Sequence, residues 1–532
     1  MTKLCFKNQI QSGLMLNSVR ILIFIATFQL LLPDVAQALP ERFRCMWRDD
    51  PSTSMVIGWD QVTGSNPMFY FGEEDHDRMI NFYSRSKRPD MIINAKGMFN
   101  HFVRLNGLKP NTVYYFVVKD SEGTSSRYSF KTAPANPKTR LSIIAGGDSR
   151  NHRDARRRAN KLVGKLRPHC VIFAGDMTEG DSAAEWKRWF DDWQLTIGVD
   201  GRLHPIIVAR GNHEKSNKAL RALFDLPSSD VYYSLTLGGT LLKIFTLNSL
   251  DPVSGEQATW LERELKSSQF VTWRFAQYHQ SMRPHTADKS ERNDMFMNWA
   301  PLFSKYNVQL VMESDAHVVK WTYPIRPGKG GELGFVRDGE KGTVYIGEGC
   351  WGAPLRNNND DKSWTRNSGS FNQFKWIFVD QSNVEVRTVM TDCADRVPNL
   401  GTDHVFKEHR TLQLWRPSNG SVVYLKNKKY VAKRSNSAEQ SLKNKQSWDA
   451  FPQLFPNAKG KVRIEYELGA VGDISLLLID RDFKPVLKAN LINQAPGDYS
   501  KNMDVNNVEK GRYLLVIKSG KEILKRYQIL KP

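Results

Sequence analysis

Between residues 141 and 317 a series of apolar strands runs out into short polar clusters, and this limits the folds open to the chain more than any other feature. LSIIAGG (141–147) leads into Asp148-Ser149-Arg150, HCVIFAG (169–175) into Asp176-Met177-Thr178-Glu179, and HPIIVAR (204–210) into Gly211-Asn212-His213-Glu214. TLLKIFTL (240–247) and TWRFAQY (272–278) follow, the second ending in His279, and VMESDAHVVK (311–320) carries Asp315-Ala316-His317 past a buried start. The helical stretches DARRRANKLVGKL (154–166), SAAEWKRWFDDW (182–193) and EQATWLERELKSS (256–268) separate several of them. Alternating strand and helix predicts a layered α/β domain with a parallel or mixed sheet. In such sheets functional residues gather just past the carboxyl ends of the strands.

The residues at those ends are of one chemical kind. Carboxylates, an amide oxygen and imidazoles are hard or borderline donors that suit Fe, Mn, Zn or Mg rather than a thiolate-seeking metal. Glycines before Asp148, Asp176 and Asn212 let the backbone turn sharply, so that short side chains point inward. Each residue alone has a plainer reading: Asp148 and Asp176 as helix N-caps, His279 as a half-buried histidine, GNHE as a turn. Five strand ends in this order favour a metal centre.

The order GD…GD…GNHE…H…(x)xH resembles that of the calcineurin-like metallophosphoesterases. A fibronectin-like segment ahead of it makes the chain most similar to their purple acid phosphatase branch, and GEQATWLERE (255–264) resembles the helix those enzymes carry before the histidine strand. The resemblance covers roughly residues 39–390. It implies that Asp148 and His317 bind a first metal, that Asn212 and His279 bind a second, and that Asp176 bridges both. It implies His213 at the leaving group, as proton donor or charge stabiliser. The cofactors implied are two divalent or trivalent ions (Mn, Zn or Fe), and the reaction is attack of a metal-bound hydroxide on a phosphate monoester. A phosphodiesterase or nucleotidase on the same centre, or a non-catalytic envelope- or glycan-binding protein with a degenerate site, are the alternatives.

Three positions depart from the family pattern. Glu179 stands three residues after Asp176, where purple acid phosphatases have the tyrosine that colours them, so a colourless protein is expected; Glu179 itself either ligates the first metal or is a loop acid. Arg150 replaces a histidine ligand, and either clamps a substrate phosphate or opens a basic helix with Arg153, Arg156, Arg157 and Arg158. Asp315 stands where the first of two histidines is expected; it is read as a substituted second-metal ligand that lowers the net charge of the centre. In HQSMRPH (279–285), His285 is either a catalytic or phosphate-contacting residue or an ordinary loop residue.

The remaining chain divides around this domain, set at 135–392. Residues 1–38 read as a secretory signal peptide, with Lys3, Lys7 and Arg20, the apolar run ILIFIATFQLLL (21–32) and a small-x-small site ending at Ala38. Export to the periplasm or the exterior is expected, and the run is too short for an ordinary membrane span. Residues 39–134 read as a fibronectin type III-like sandwich, because Leu108-x-Pro110-x-Thr112-x-Tyr114 matches a tyrosine corner. Residues 393–455 read as a basic, irregular connecting segment, and 456–532 as a small β-sandwich whose closing strands resemble type IX secretion sorting domains. Cys350 and Cys393 are candidates to pair, with Cys170 a buried free thiol. The formal charge of +20 favours anionic partners, namely phosphate esters, acidic polysaccharides or envelope surfaces. No nucleic-acid-binding signature accompanies it.

Overall fold

The computed structural model describes residues 40–401, 405–427, 451–468, 472–482, 484–520 and 522–532. The expected signal segment 1–38 and most of the basic stretch 425–446 lie outside the described residues. The chain forms two compact units, Met1–Leu425 and Lys426–Pro532.

The first unit begins with a β-sandwich of two four-stranded sheets. Pro40–Met46, Met55–Gln61, Met98–Leu105 and Met91–Ala95 form one; Arg85–Lys87, Met68–Gly72, Val113–Lys119 and Tyr128–Lys131 form the other. Phe43, Trp59, Phe69 and Phe116 fill the space between them. The buried Tyr114 hydroxyl accepts a hydrogen bond from the Lys109 backbone N–H at 2.9 Å, so the corner motif forms as its spacing suggests. The sandwich is docked firmly on the α/β domain. Arg44 is 1% exposed and donates to the Leu223 carbonyl at 2.7 Å, and Arg104 grips Asp225 with two 2.7 Å bonds.

The α/β domain stacks a six-stranded sheet on a seven-stranded one. In the first, Ile206–Val208, Cys170–Phe173 and Leu141–Gly146 are parallel, and Gln373–Val379 and Asn383–Met390 follow antiparallel. In the second, Leu242–Thr246, Trp273–Gln280, Leu310–Ser314 and Val344–Gly347 are parallel. Side chains alternate along each strand of this second sheet. Ile244, Phe275, Leu310 and Met312 join Ile143, Val171 and Ile207 of the first sheet in one core. Phe245, Ala276, Val311 and Tyr345 face the other way, against Leu261, Leu265, Trp299 and Phe303 of the covering helices. Both faces are buried, which explains the nearly continuous apolar runs.

Local signals placed the helices well. Ala183–Trp193 starts at Ser182 in a reciprocal capping box with Glu185. Two segments differ from expectation. RPGKGGELG (326–334), read as a glycine-rich loop, contributes to a hairpin between Ile325–Glu332 and Phe335–Arg337. Part of the segment read as a connector joins the domain instead: Val422–Lys426 is the sixth strand of the first sheet, and Trp415 packs on Trp321 with ring centroids 4.8 Å apart. The expected Cys350–Cys393 pair does not form, since all four cysteines of the described residues are free and buried; the Cys393 thiol donates instead to the Met390 carbonyl. Cys170 is the buried free thiol anticipated.

The second unit is a small sandwich. Gln453–Leu454, Glu522–Lys531, Gly511–Ser519, Gly472–Ile479 and Pro485–Gln494 make one sheet, and Lys461–Leu468 pairs with Gly497–Asp504 in the other. Ile464, Leu476, Leu515, Ile517 and Ile529 form its core. Among the described residues no helix is long and apolar enough to cross a membrane.

Candidate metal centre

The carboxyl ends of the parallel strands meet at one edge of the stacked sheets. There the first loop is tied to the second by Asp148 N–H to Gly175 O and Ser149 N–H to Asp176 O, both 3.0 Å. The third approaches so closely that a Cβ on Gly211 would lie 2.2 Å from Asp176 Oδ1, which excludes any larger residue. Glu214 locks these turns, its carboxylate accepting from the backbone N–H groups of Asp176 (2.9 Å), Met177 (2.6 Å) and Gly211 (2.8 Å). Burial and the neighbouring Asp176 charge push the Glu214 carboxyl up to about 7. Neither aspartate caps a helix: the helix after Asp148 begins at Arg153 with His152 in the cap position, and the one after Asp176 is capped by Ser182.

Four side chains of the centre sit on left-handed backbone: Asp148 (φ 57°), Asp176 (55°), Asp315 (70°) and His317 (56°). A non-glycine residue there costs about 1 kcal/mol or more, and such strain collects at functional sites where the surroundings enforce it.

The buried ligand atoms fall into two groups that share one residue. Asp148, Asp176 and His317 form the first, and Asp176, His279 and Asp315 the second, with the atoms of each group within 4.8 Å of one another. His317 Nε2 is 3.2 Å from Asp148 Oδ1. His279 Nε2 is 3.3 Å from Asp176 Oδ1, 3.6 Å from Asp315 Oδ1 and 3.0 Å from the Asn212 amide oxygen. Asn212 is exposed and His213 half-buried, so the centre opens on their side.

These residues fit a pair of cations on their own chemistry. Both histidines give Nδ1–H to a backbone carbonyl, His279 to Ala174 at 2.7 Å and His317 to Pro354 at 2.8 Å. Each Nε2 is thereby aimed at carboxylate oxygens. Asp176 Oδ2 is buried without a hydrogen-bond partner. Burial opposes charge on His279, yet the carboxylates of Asp176 and Asp148 outweigh it and hold the imidazole well above its usual range. The same cluster of carboxylates would draw the positive charge of a metal ion.

The other residues singled out in the sequence divide. Arg150 lies at the centre, its Nε 3.6 Å from Asp176 Oδ2 and its guanidinium paired with Glu179. Glu179 is half-exposed and belongs to neither ligand group. Burial opposes its ionisation, but the Arg150 hydrogen bond holds its carboxyl below the usual range. His213 turns Nδ1 to the Glu179 carbonyl, which leaves Nε2 3.7 Å from Asp176 Oδ2. His285 does not contact the cleft as a substrate-contacting residue must. It is 0% exposed, its Nε2 2.7 Å from Thr365 Oγ1 and its Nδ1 3.8 Å from Glu348 Oε1. Two residues were not foreseen. Glu214 is legible within GNHE, whereas nothing local marks Lys289, whose Nζ meets Asp315 Oδ1 at 2.6 Å and offsets the charge that Asp315 brings.

Comparison with known proteins agrees with this geometry. Residues 40–132 match the family described as purple acid phosphatase, N-terminal domain, and residues 143–319 match the calcineurin-like phosphoesterase family. An uncharacterised protein of Mycobacterium tuberculosis is 24% identical over 56% of this chain and 66% of its own length. Purple acid phosphatase 15 of Arabidopsis thaliana is 25% identical over 44% of this chain and 52% of its own length. The chain thus spans about two thirds or less of these relatives. Among solved structures, a purple acid phosphatase from yellow lupin seeds superposes with a TM-score of 0.55 at 15% identity, over 66% of this chain and 72% of that one. The structure of PhoD gives 0.52 at 14% identity, over 67% and 88%. These superpositions speak for the fold alone. The two family matches, with the purple acid phosphatase relative, make the chain similar to the purple acid phosphatase-like branch of the calcineurin-like metallophosphoesterases.

Proposed function

We propose that the protein is an exported, binuclear metal-dependent hydrolase of phosphate monoesters. One observation carries this: Asp176 is shared by two buried ligand groups on strand ends that meet at one edge. Asp148, Asp176 and His317 would hold one ion, and Asp176, His279, Asp315 and Asn212 the other. Bound metals supply Lewis-acid neutralisation of phosphoryl oxygens and lower the pKa of a water at the site. His213, oriented by its Nδ1 bond to the Glu179 carbonyl, presents Nε2 to the open side, where it donates a proton to the departing alkoxide oxygen. Arg150 adds fixed positive charge next to Asp176. Glu179 anchors Arg150 and His213 rather than ligating metal.

The test is reconstitution. Protein stripped with a chelator and reloaded with Mn, Zn or Fe is assayed on p-nitrophenyl phosphate and its bis ester. Monoester turnover returning with two metal equivalents is the expected result. A preference for the bis ester moves the reading to a phosphodiesterase; no turnover and no bound metal reduce it to a binding protein. Export with cleavage near Ala38 is checked by N-terminal sequencing of the mature protein. The C-terminal sandwich is read as a sorting or accessory module, and loss of that unit from the mature chain, seen by intact mass, separates the first role from the second.

A further inference from the structure

Two cations flank the candidate metal centre from opposite sheets. Arg150 follows the strand Leu141–Gly146 of the six-stranded sheet, and Lys289 lies on the loop after Trp273–Gln280 of the seven-stranded one. Each is held by a carboxylate of the site: Arg150 by Glu179 beside Asp176, and Lys289 by Asp315. Neither is used up by that contact. The Arg150 side chain is 10% exposed, and its Nε is buried without a hydrogen-bond acceptor. Among the described residues the ammonium of Lys289 donates to Asp315 alone, which leaves two of its three N–H groups. The Arg150 backbone is fixed in turn. Arg156 donates to the Ser149 carbonyl (3.1 Å) and the Arg150 carbonyl (3.0 Å), and is itself pinned by the buried Asp192.

Resting on the hydrolase reading, we propose that Arg150 and Lys289 form a cationic clamp that selects dianionic phosphate monoesters over monoanionic diesters. Near neutral pH a monoester carries one more negative charge than a diester and has one more oxygen free of substitution. Fixed donors on both sides of the phosphate reward that extra charge, because charge-assisted bonds in a partly buried site are strong. Lys289 also accounts for an aspartate at 315. The Asp315–Lys289 pair is close to neutral overall, as an imidazole is, so the centre keeps its charge while gaining a donor for the substrate.

The experiment uses the full, metal-loaded protein and the variants Arg150→Gln, Lys289→Gln and Lys289→Arg. Inorganic phosphate binding is measured by calorimetry, and kcat and KM on p-nitrophenyl phosphate and its bis ester. Each Gln variant is expected to weaken phosphate binding about tenfold or more, and to lower kcat/KM on the monoester similarly, mostly through KM, while the diester loses less than about threefold. Lys289→Arg keeps the charge and is expected to retain phosphate affinity. Equal losses on both esters, unchanged phosphate affinity in the Gln variants, or a Lys289→Arg variant as weak as Lys289→Gln would overturn the clamp. A wild-type protein without turnover, whose phosphate affinity still drops in both Gln variants, removes the hydrolase reading and keeps the clamp as a phosphate site.

Discussion

The candidate metal centre and the cluster around Lys320 are built from the same materials, buried carboxylates at or near strand ends, but they differ in how charge is settled. Lys320 is 1% exposed and donates to Glu313 at 2.5 Å, to Glu348, and to the Arg283 carbonyl at 3.0 Å. Tyr278 and the Met282 N–H complete the shell of Glu313, and the His285 N–H that of Glu348. Burial pushes the Glu348 carboxyl up to about 7, with Lys320 opposing the rise. At the candidate metal centre Asp148, Asp176 and Asp315 converge on His279 and His317, and Asp176 Oδ2 has no hydrogen-bond partner. A closed network of this kind fixes loops; an open one leaves room for an ion from outside. The two share the stretch Glu313–Lys320, so the closed cluster braces the segment that carries Asp315 and His317.

The sharpest way to break this contrast is Asp176→Asn. It removes the charge common to both ligand groups and is expected to cost about a thousandfold or more in kcat, with fewer than two metal equivalents by elemental analysis. Normal rates with two metals would make the centre closed after all. Next is Lys320→Met, which strands two buried glutamates and is expected to cost about 3–5 kcal/mol in urea unfolding. A loss under about 1 kcal/mol would mean that the cluster does not depend on its ammonium.

Lys375 sharpens the comparison, as a buried amine with no carboxylate hydrogen-bonded to it among the described residues. Its amine meets Thr388 Oγ1 at 2.9 Å and the Trp321 ring, and burial lowers it to about 7. Because the folded pKa is depressed, its stabilising contribution is complete above about pH 10.5 and is lost as pH falls from there to about 7. Lys375→Met is expected to flatten that window by up to about 1.4 kcal/mol per pH unit; an unchanged slope in unfolding experiments at several pH values would show the amine charged in the fold. His285→Gln is expected to change KM on p-nitrophenyl phosphate less than about threefold, since the ring faces Thr365, whereas a tenfold rise would return His285 to the substrate. The smallest effect is optical. With Glu179 three residues past Asp176, the metal-loaded protein is expected to lack a visible charge-transfer band, and a purple colour would require a phenolate at the centre.

Much of this was legible locally. Apolar runs ending in a short polar or imidazole residue, three of them through a glycine, are written in consecutive positions, so Asp148, Asp176, Asn212, His279, Asp315 and His317 could be picked out one strand at a time. The hairpin at 325–337 was not, because glycines disfavour strands and only pairing with Phe335–Arg337 stabilises one there. The edge strand Val422–Lys426 was hidden in the same way, since its partners are distant in sequence. His285 and Lys289 stand four residues apart on one loop with similar polarity. Which of them faced the cleft depended on Thr365, 80 residues away, and on Asp315, 26 away.

By itself the sequence determined which atoms are available to the centre and which strand ends deliver them, because ligand type and strand periodicity are properties of neighbouring residues. The tertiary structure decided how they combine. It put Asp176 in both ligand groups, turned His285 into the interior, and set Lys289 against Asp315. Those outcomes are contacts between distant segments, fixed by how the two sheets pack, and no local pattern encodes them.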